Sequence, residues 1–349
     1  MSFTRLEPTD FVISTDAISS TLFSNNAPAL TSAFTSSAQV AGSTGNFYIN
    51  VYNSATTESV QFAIAYGNSV GSGSLNYNSS VNGYSPTSTI YGQWQDLVLG
   101  DENSDFIFGA ITSSEFYALT FERARYKDSL FLGSLSLTLS ASGGSITLTD
   151  NSAYVSSVQF TEAGRVFQLI TGSTGTRATI TSRNTADGYS ANSGSYGWLL
   201  PDIGTILLNP KALGAPAVSG GIAFTYSGSA SASAAPNLSP NASLYNSLVQ
   251  ALTGGSSNDF YINAQESITS DFIFVRPKSV EYNYSENPSF ISGSTGEVFF
   301  PSFINNPQTY ITTVGLYNDT NQLLAVAKLS RPLPKDFTTE ALIRVKLDF

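Results

Sequence analysis

The chain has no histidine and no cysteine among its 349 residues. Without histidine it lacks the commonest general base near neutral pH and the commonest imidazole metal ligand. Without cysteine it has no thiol nucleophile, no zinc–thiolate site and no disulfide. Charged residues are scarce at 11%, so polarity is carried by Ser, Thr, Asn and Gly. No apolar run approaches the ~20 residues that a spanning helix needs, and no membrane insertion is expected. Met1–Asp10 has no apolar stretch after a basic start and does not read as a secretory signal.

Positive charge is also missing over a long stretch. No Lys or Arg lies between Arg5 and Arg123, where the acids include Asp10, Asp16, Glu58, Asp96, Asp101, Glu102, Asp105 and Glu115. From Arg276 onward, bases and acids balance. The net charge of −10 argues against a phosphate-tracking nucleic-acid binder, which needs a basic patch. An acidic front and a mixed back would help to orient subunits in an assembly.

What is present is two-residue periodicity. Phe47, Ile49 and Val51 share a face, as do Val60, Phe62, Ile64 and Tyr66, and the polar 53–59 between them predicts a hairpin. Leu135–Ser140 and Ile146–Thr149 predict another, turned by Gly143-Gly144. Further short strands are predicted at Val155–Phe160, Arg165–Ile170, Ala178–Thr181, Gly204–Leu208, Ile222–Tyr226, Phe260–Asn263, Asp271–Arg276, Val280–Tyr284, Thr312–Leu316 and Leu323–Leu329. One helix is well marked: Ser239 caps it, Pro240 starts it, Leu244, Leu248 and Leu252 form its stripe, and Gly254-Gly255 stop it. Ser113–Tyr126 stays undecided between helix and strand, although the alternation of Tyr117, Leu119 and Phe121 slightly favours strand. The expected class is all-β or β-rich: short-stranded antiparallel sandwich or barrel domains with one or two short helices. The expected domains are 1–150, 151–255 (with the Ser/Ala-rich linker Tyr226–Pro240) and 256–349.

Chemistry is thinly signalled. Asp101-Glu-Asn-Ser-Asp105 is the densest acidic cluster, but its spacing is not that of a calcium-binding EF-hand loop. Two carboxylates suffice for glycoside hydrolysis, and Tyr91 and Trp94 near Asp96 and Asp101 would suit a sugar-stacking cleft. No phosphate-binding loop, dinucleotide fingerprint or nucleophile elbow stands in its proper context. We therefore expect no catalytic residue, no cofactor and no metal ligand.

The C-terminal stretch is the informative one. Ile343, Val345, Leu347 and Phe349 alternate with Arg344, Lys346 and Asp348, and a hairpin of Thr312–Leu316 with Leu323–Leu329 precedes them, turned at Asn318–Asn321. A three-stranded sheet is expected, with Val314, Leu316, Leu324 and Val326 as core or contact residues and Pro332 and Pro334 keeping the connector out of a ladder. Ile304-Asn-Asn-Pro-Gln-Thr309, Thr313-Val-Gly-Leu-Tyr317, Leu324-Ala-Val-Ala-Lys-Leu-Ser-Arg-Pro332, Lys335-Asp-Phe337 and Ala341–Phe349 resemble virion structural proteins of tailed, contractile-tail bacteriophages. Glu122–Asp128 and Leu200–Pro210 look similar to the same family. The resemblance implies a baseplate or tail-end component that binds other virion proteins and itself, assembled in the cytoplasm and released by lysis, and it brings no catalytic residues. Interface residues are expected at Val314, Leu316, Tyr317, Leu324, Val326, Lys328, Phe337, Ile343, Val345, Leu347 and Phe349. A receptor- or glycan-binding fibre protein is the alternative, with Tyr77, Tyr84 and Tyr91 as contact residues.

Overall fold

Strands carry the fold in the computed structural model, which describes residues 3–35, 48–53, 60–73, 85–109, 111–178, 195–225, 240–253, 259–285 and 287–348. The first are β1 (Phe11–Thr21), β2 (Phe34–Thr35), β3 (Tyr48–Tyr52), β4 (Val60–Asn68), β5 (Phe106–Phe108), β6 (Ile111–Ser113), β7 (Glu115–Phe121) and β8 (Ser129–Leu130). Next come β9 (Ser136–Ala141), β10 (Gly144–Asp150), β11 (Gln159–Thr161), β12 (Gly164–Ser173), β13 (Thr176–Arg177), β14 (Gly197–Leu200) and β15 (Thr205–Leu208). The last are β16 (Phe260–Tyr261), β17 (Asn263–Val275), β18 (Thr309–Tyr317), β19 (Leu323–Lys335) and β20 (Ile343–Asp348). Two helices of four turns, α1 (Pro86–Leu99) and α3 (Pro240–Thr253), and two of about one turn, α2 (Pro210–Gly214) and α4 (Pro301–Asn305), complete the described elements. The fold is β-rich and antiparallel, as the periodicity predicts.

Two compact units form: residues 18–266, and residues 1–17 together with 267–349. The larger unit holds a twelve-stranded sheet in the order β16-β9-β10-β12-β14-β15-β7-β4-β3-β2, with β11 and β13 attached to β12, and the sheet curls as a half-barrel. Residues 1–150 and 151–255 both give strands to it, since β10 pairs with β12. The hairpin expected at Leu135–Thr149 is β9–β10, and Val51↔Phe62 and Ile49↔Ile64 are partners in β3–β4.

The central strands are apolar on both faces. Phe116 and Ala118 of β7, Trp198 and Leu200 of β14 and Leu207 of β15 join one core cluster with Tyr91 and Val98 of α1. Tyr117, Leu119, Leu199, Ile206 and Leu208 join the other, with Leu244 and Leu248 of α3. A strand buried on both faces reads as a continuous apolar run, which is why Ser113–Tyr126 left strand and helix open. It is strand over Glu115–Phe121, followed by a 3-10 turn at Arg123–Arg125.

Helix α1 is the largest element that the sequence reading did not anticipate. Its signals match those of α3: Ser85 caps, Pro86 stands at the first position, and Gly100 closes it at φ 72°, its N–H donating to Asp96 O at 3.0 Å. Two predicted strands are absent. Ile222–Phe224 forms turns with Leu213, where Ala223 has φ 51°, and Val280–Tyr284 is a turn in which Tyr282 has φ 55°. Left-handed residues interrupt an extended run. The predicted strand at Ala178–Thr181 and the linker at 226–239 lie almost wholly outside the described residues.

The smaller unit holds β20 paired with residues 270–275 of β17, in a sheet of order β1-β17-β20, and the separate ribbon β18–β19. The expected third strand of the hairpin is therefore corrected: β20 pairs with β17, Ile343 opposite Val275 and Val345 opposite Ile273, and not with β18 or β19. Apolar cross-strand partners on β17 explain the choice. The prolines also differ from expectation. β19 runs through Pro332 and Pro334 to Lys335, with Tyr310 opposite Pro334. A two-stranded ribbon has an open side on each strand, so a proline is tolerated there.

Candidate interaction surface

Alternation sorts the ribbon into two faces. Val314 lies opposite Ala327 and Leu316 opposite Ala325, and all four are half-buried. On the other face stand Tyr317, Leu324 and Val326, with Leu324 68% and Val326 59% exposed. Val314 and Leu316 are thus on the opposite face of the ribbon from Leu324 and Val326. Asn318 sets the turn: its Oδ1 accepts from the N–H groups of Thr320 (3.1 Å) and Gln322 (2.7 Å). Further along, Ile311 faces Leu333 while Thr313 faces Lys328, so Thr312 alone stands opposite Leu329–Pro332 in a wide bulge.

An open groove of roughly 390 Å³ runs past this bulge. Its walls are Val314 and residues 327–331 and 333 of the ribbon, and residues 342–345 of the terminal strand. The lining is apolar except for Ser330 and three cations, Lys328, Arg331 and Arg344, and it contains no carboxylate. Among the described residues none of these cations has an ion pair, whereas Arg276 binds Asp10 (2.8 Å) and Lys346 binds Asp348 (2.8 Å). Arg344 lies over the ring of Phe272 at 5.4 Å.

The other expected interface residues fall into two groups. Lys328 and Phe337 are exposed, Phe337 by 56%, whereas Ile343 and Val345 are buried and Leu347 is half-buried opposite Asp271. Phe349 lies outside the described residues. Sequence reasoning passed over Lys335, which is completely buried. Its ammonium donates to Ser279 O (2.9 Å), Asn283 Oδ1 (2.9 Å) and Asp336 O (2.8 Å), which uses all three of its donors. That clamp fixes the end of β19. The next residue caps a turn: the Asp336 carboxylate accepts from the hydroxyls of Thr339 and Thr338 and from the Thr338 N–H, which holds its pKa down at about 2.

The acid-and-aromatic grouping around α1 is packing. Tyr91 is buried, stacked on Phe116 at 5.5 Å, and donates to Ser113 O at 2.9 Å. Burial, and then the charge of Asp105, push its phenol up to about 12. Trp94 meets the edge of Phe116. Asp101 is held below the usual carboxylate range by the Asn103 N–H and side chain and by Ser104, in the turn that leaves α1. Tyr77 and Tyr84 lie outside the described residues.

The two upstream motifs meet each other. A side chain at Gly204 (φ 61°) would strike the Tyr126 ring, and Phe121 N–H donates to Gly204 O at 2.9 Å. Asp202 accepts from the Arg165 N–H (2.8 Å) and guanidinium, and Arg125 donates to Val60 O (2.6 Å). Their basic residues therefore bind backbone and carboxylates within the larger unit. Comparison with protein families, with curated proteins and with solved structures finds no match. The likeness to virion proteins rests on the quoted residues alone.

Proposed function

We propose that this chain is a structural subunit of a tailed-phage virion, at the baseplate or tail end, whose function is the set of interfaces it makes. The observation that carries this reading is the smaller unit's shortage of core. Among its described residues only Ile273, Pro277, Ile343 and Val345 are buried apolar side chains, while most of the exposed large apolar side chains among the described residues belong to it. Burial of apolar surface is the main favourable term in folding, and a unit that buries so little and displays so much is built to be covered. The resemblance supplies the identity of the covering: other virion proteins and further copies of this chain.

Two measurements test the reading. Mass spectrometry of purified particles is expected to find the intact chain. Deletion of residues 335–349, which removes the Lys335 clamp and β20, is expected to abolish incorporation. Normal incorporation of the truncated chain, or absence of the intact chain from particles, would overturn it.

A further inference from the structure

The sheet of the smaller unit has two unpaired edges of opposite character. β1 is at one end of the order β1-β17-β20 and β20 at the other, so each has a ladder side without a partner among the described residues. Phe11–Ala17 of β1 is exposed on both faces: Phe11 by 46%, Val12 by 48% and Ile13 by 73%. A strand with both faces and one edge open is a template for another chain unless something covers it. This segment carries Asp16 and no cation, and no Lys or Arg follows it before Arg123.

Residues 343–345 of the other edge strand, β20, line the groove described above, which sets aliphatic side chains beside Lys328, Arg331 and Arg344 and has no acid. Cations without ion-pair partners beside an unpaired strand attract an extended segment that is apolar and acidic. Phe11-Val-Ile-Ser-Thr-Asp-Ala17 is such a segment. We infer that the chain assembles head to tail, β1 of one copy adding to the β20 edge of the next, with Asp16 set against the groove's cations. The inference rests on the reading of this chain as an interface protein and names the partner as a second copy. Because the two edges differ, the contact is heterologous, and repetition closes a ring or extends a filament.

The experiment uses the full chain and measures mass by light scattering after size exclusion. Wild type is expected to elute at three or more times its 37.0 kDa monomer mass. Ile13→Lys places a charge on the exposed β1 edge, and Lys328→Glu with Arg331→Glu reverses the groove. Each variant alone is expected to be monomeric, with a cooperative melting transition and a wild-type circular dichroism spectrum showing that it still folds. Mixed, they retain one intact contact between them and are expected to form a one-to-one dimer and nothing larger. A monomeric wild type, variants that assemble like wild type, or a mixture that stays monomeric would each overturn the proposal. A monomeric wild type that is nevertheless found in particles would remove this pairing and leave the virion reading standing; an assembling chain absent from particles would do the reverse.

Discussion

Lys335 shows what single residues contribute where apolar burial is scarce. Its ammonium is satisfied by two carbonyl oxygens and one amide oxygen, with no carboxylate, so it acts as a polar rivet between β19 and the 279–283 turn. Lys335→Met would leave the buried Asn283 Oδ1 without its donor and take one donor each from Ser279 O and Asp336 O, which keep Asn283 Nδ2 and the Thr339 N–H, and a loss of about 1–3 kcal/mol is expected, read as a lower urea midpoint. Lys335→Arg should not restore it, because a planar guanidinium does not reproduce a compact three-donor group. Asp336 beside it makes a pH prediction. Its folded pKa, about 2, lies below the ordinary 3.8, so its contribution is fully present above 3.8 and is lost as pH falls toward 2. An NMR titration of the side-chain carboxyl should find that low midpoint, and Asp336→Asn should remove the corresponding slope in stability. Neither residue's role was legible in the sequence: a lysine beside two prolines reads as a solvated connector, and two of its three acceptors lie some fifty residues upstream.

At the scale of elements, legibility followed periodicity. β3, β4, β9, β10, β18 and β19 alternate cleanly and lie close to where alternation predicts them. β7 does not alternate, because α1 and α3 belong to the core clusters on its opposite faces. That geometry is testable: Phe116→Ala and Leu119→Ala, one on each face, should both destabilise, by about 3–5 and 2–5 kcal/mol. A strand with one solvated face would spare one of them in the same denaturant titration. Helix α1 was announced by Ser85-Pro86 and Gly100, as α3 is by its own Ser-Pro and glycines, but its aromatic and acidic residues suggested a cleft instead. The pairing of β20 was hidden for another reason. Both the ribbon and β17 offer apolar partners, and only the register with Ile273 and Val275 distinguishes them.

For the whole molecule, composition excluded more than it assigned. The absence of His and Cys narrows the available chemistry, and Tyr91 and Trp94 of α1 are occupied in packing against Phe116. The residues expected at an interface do not lie on one face of the structure. In the ribbon Ala325 and Ala327 take the face opposite Leu324 and Val326, whereas Ile343 and Val345 are buried. The groove depends on a bulge and on two strands that share no ladder, and nothing in a linear pattern encodes that juxtaposition.

The smaller unit is built from stretches on either side of the larger one, since residues 1–17 precede it and 267–349 follow it. During synthesis β1 therefore leaves the ribosome long before its ladder partner β17 has been translated. At usual rates the intervening residues take on the order of 10–50 s. For that interval the larger unit can fold while β1 waits, and a nascent chain has no β20 to receive a neighbour's strand. In the proposed head-to-tail contact the donor edge is thus made first and the receiving edge last, so a chain gains the ability to accept a neighbour only as its synthesis ends.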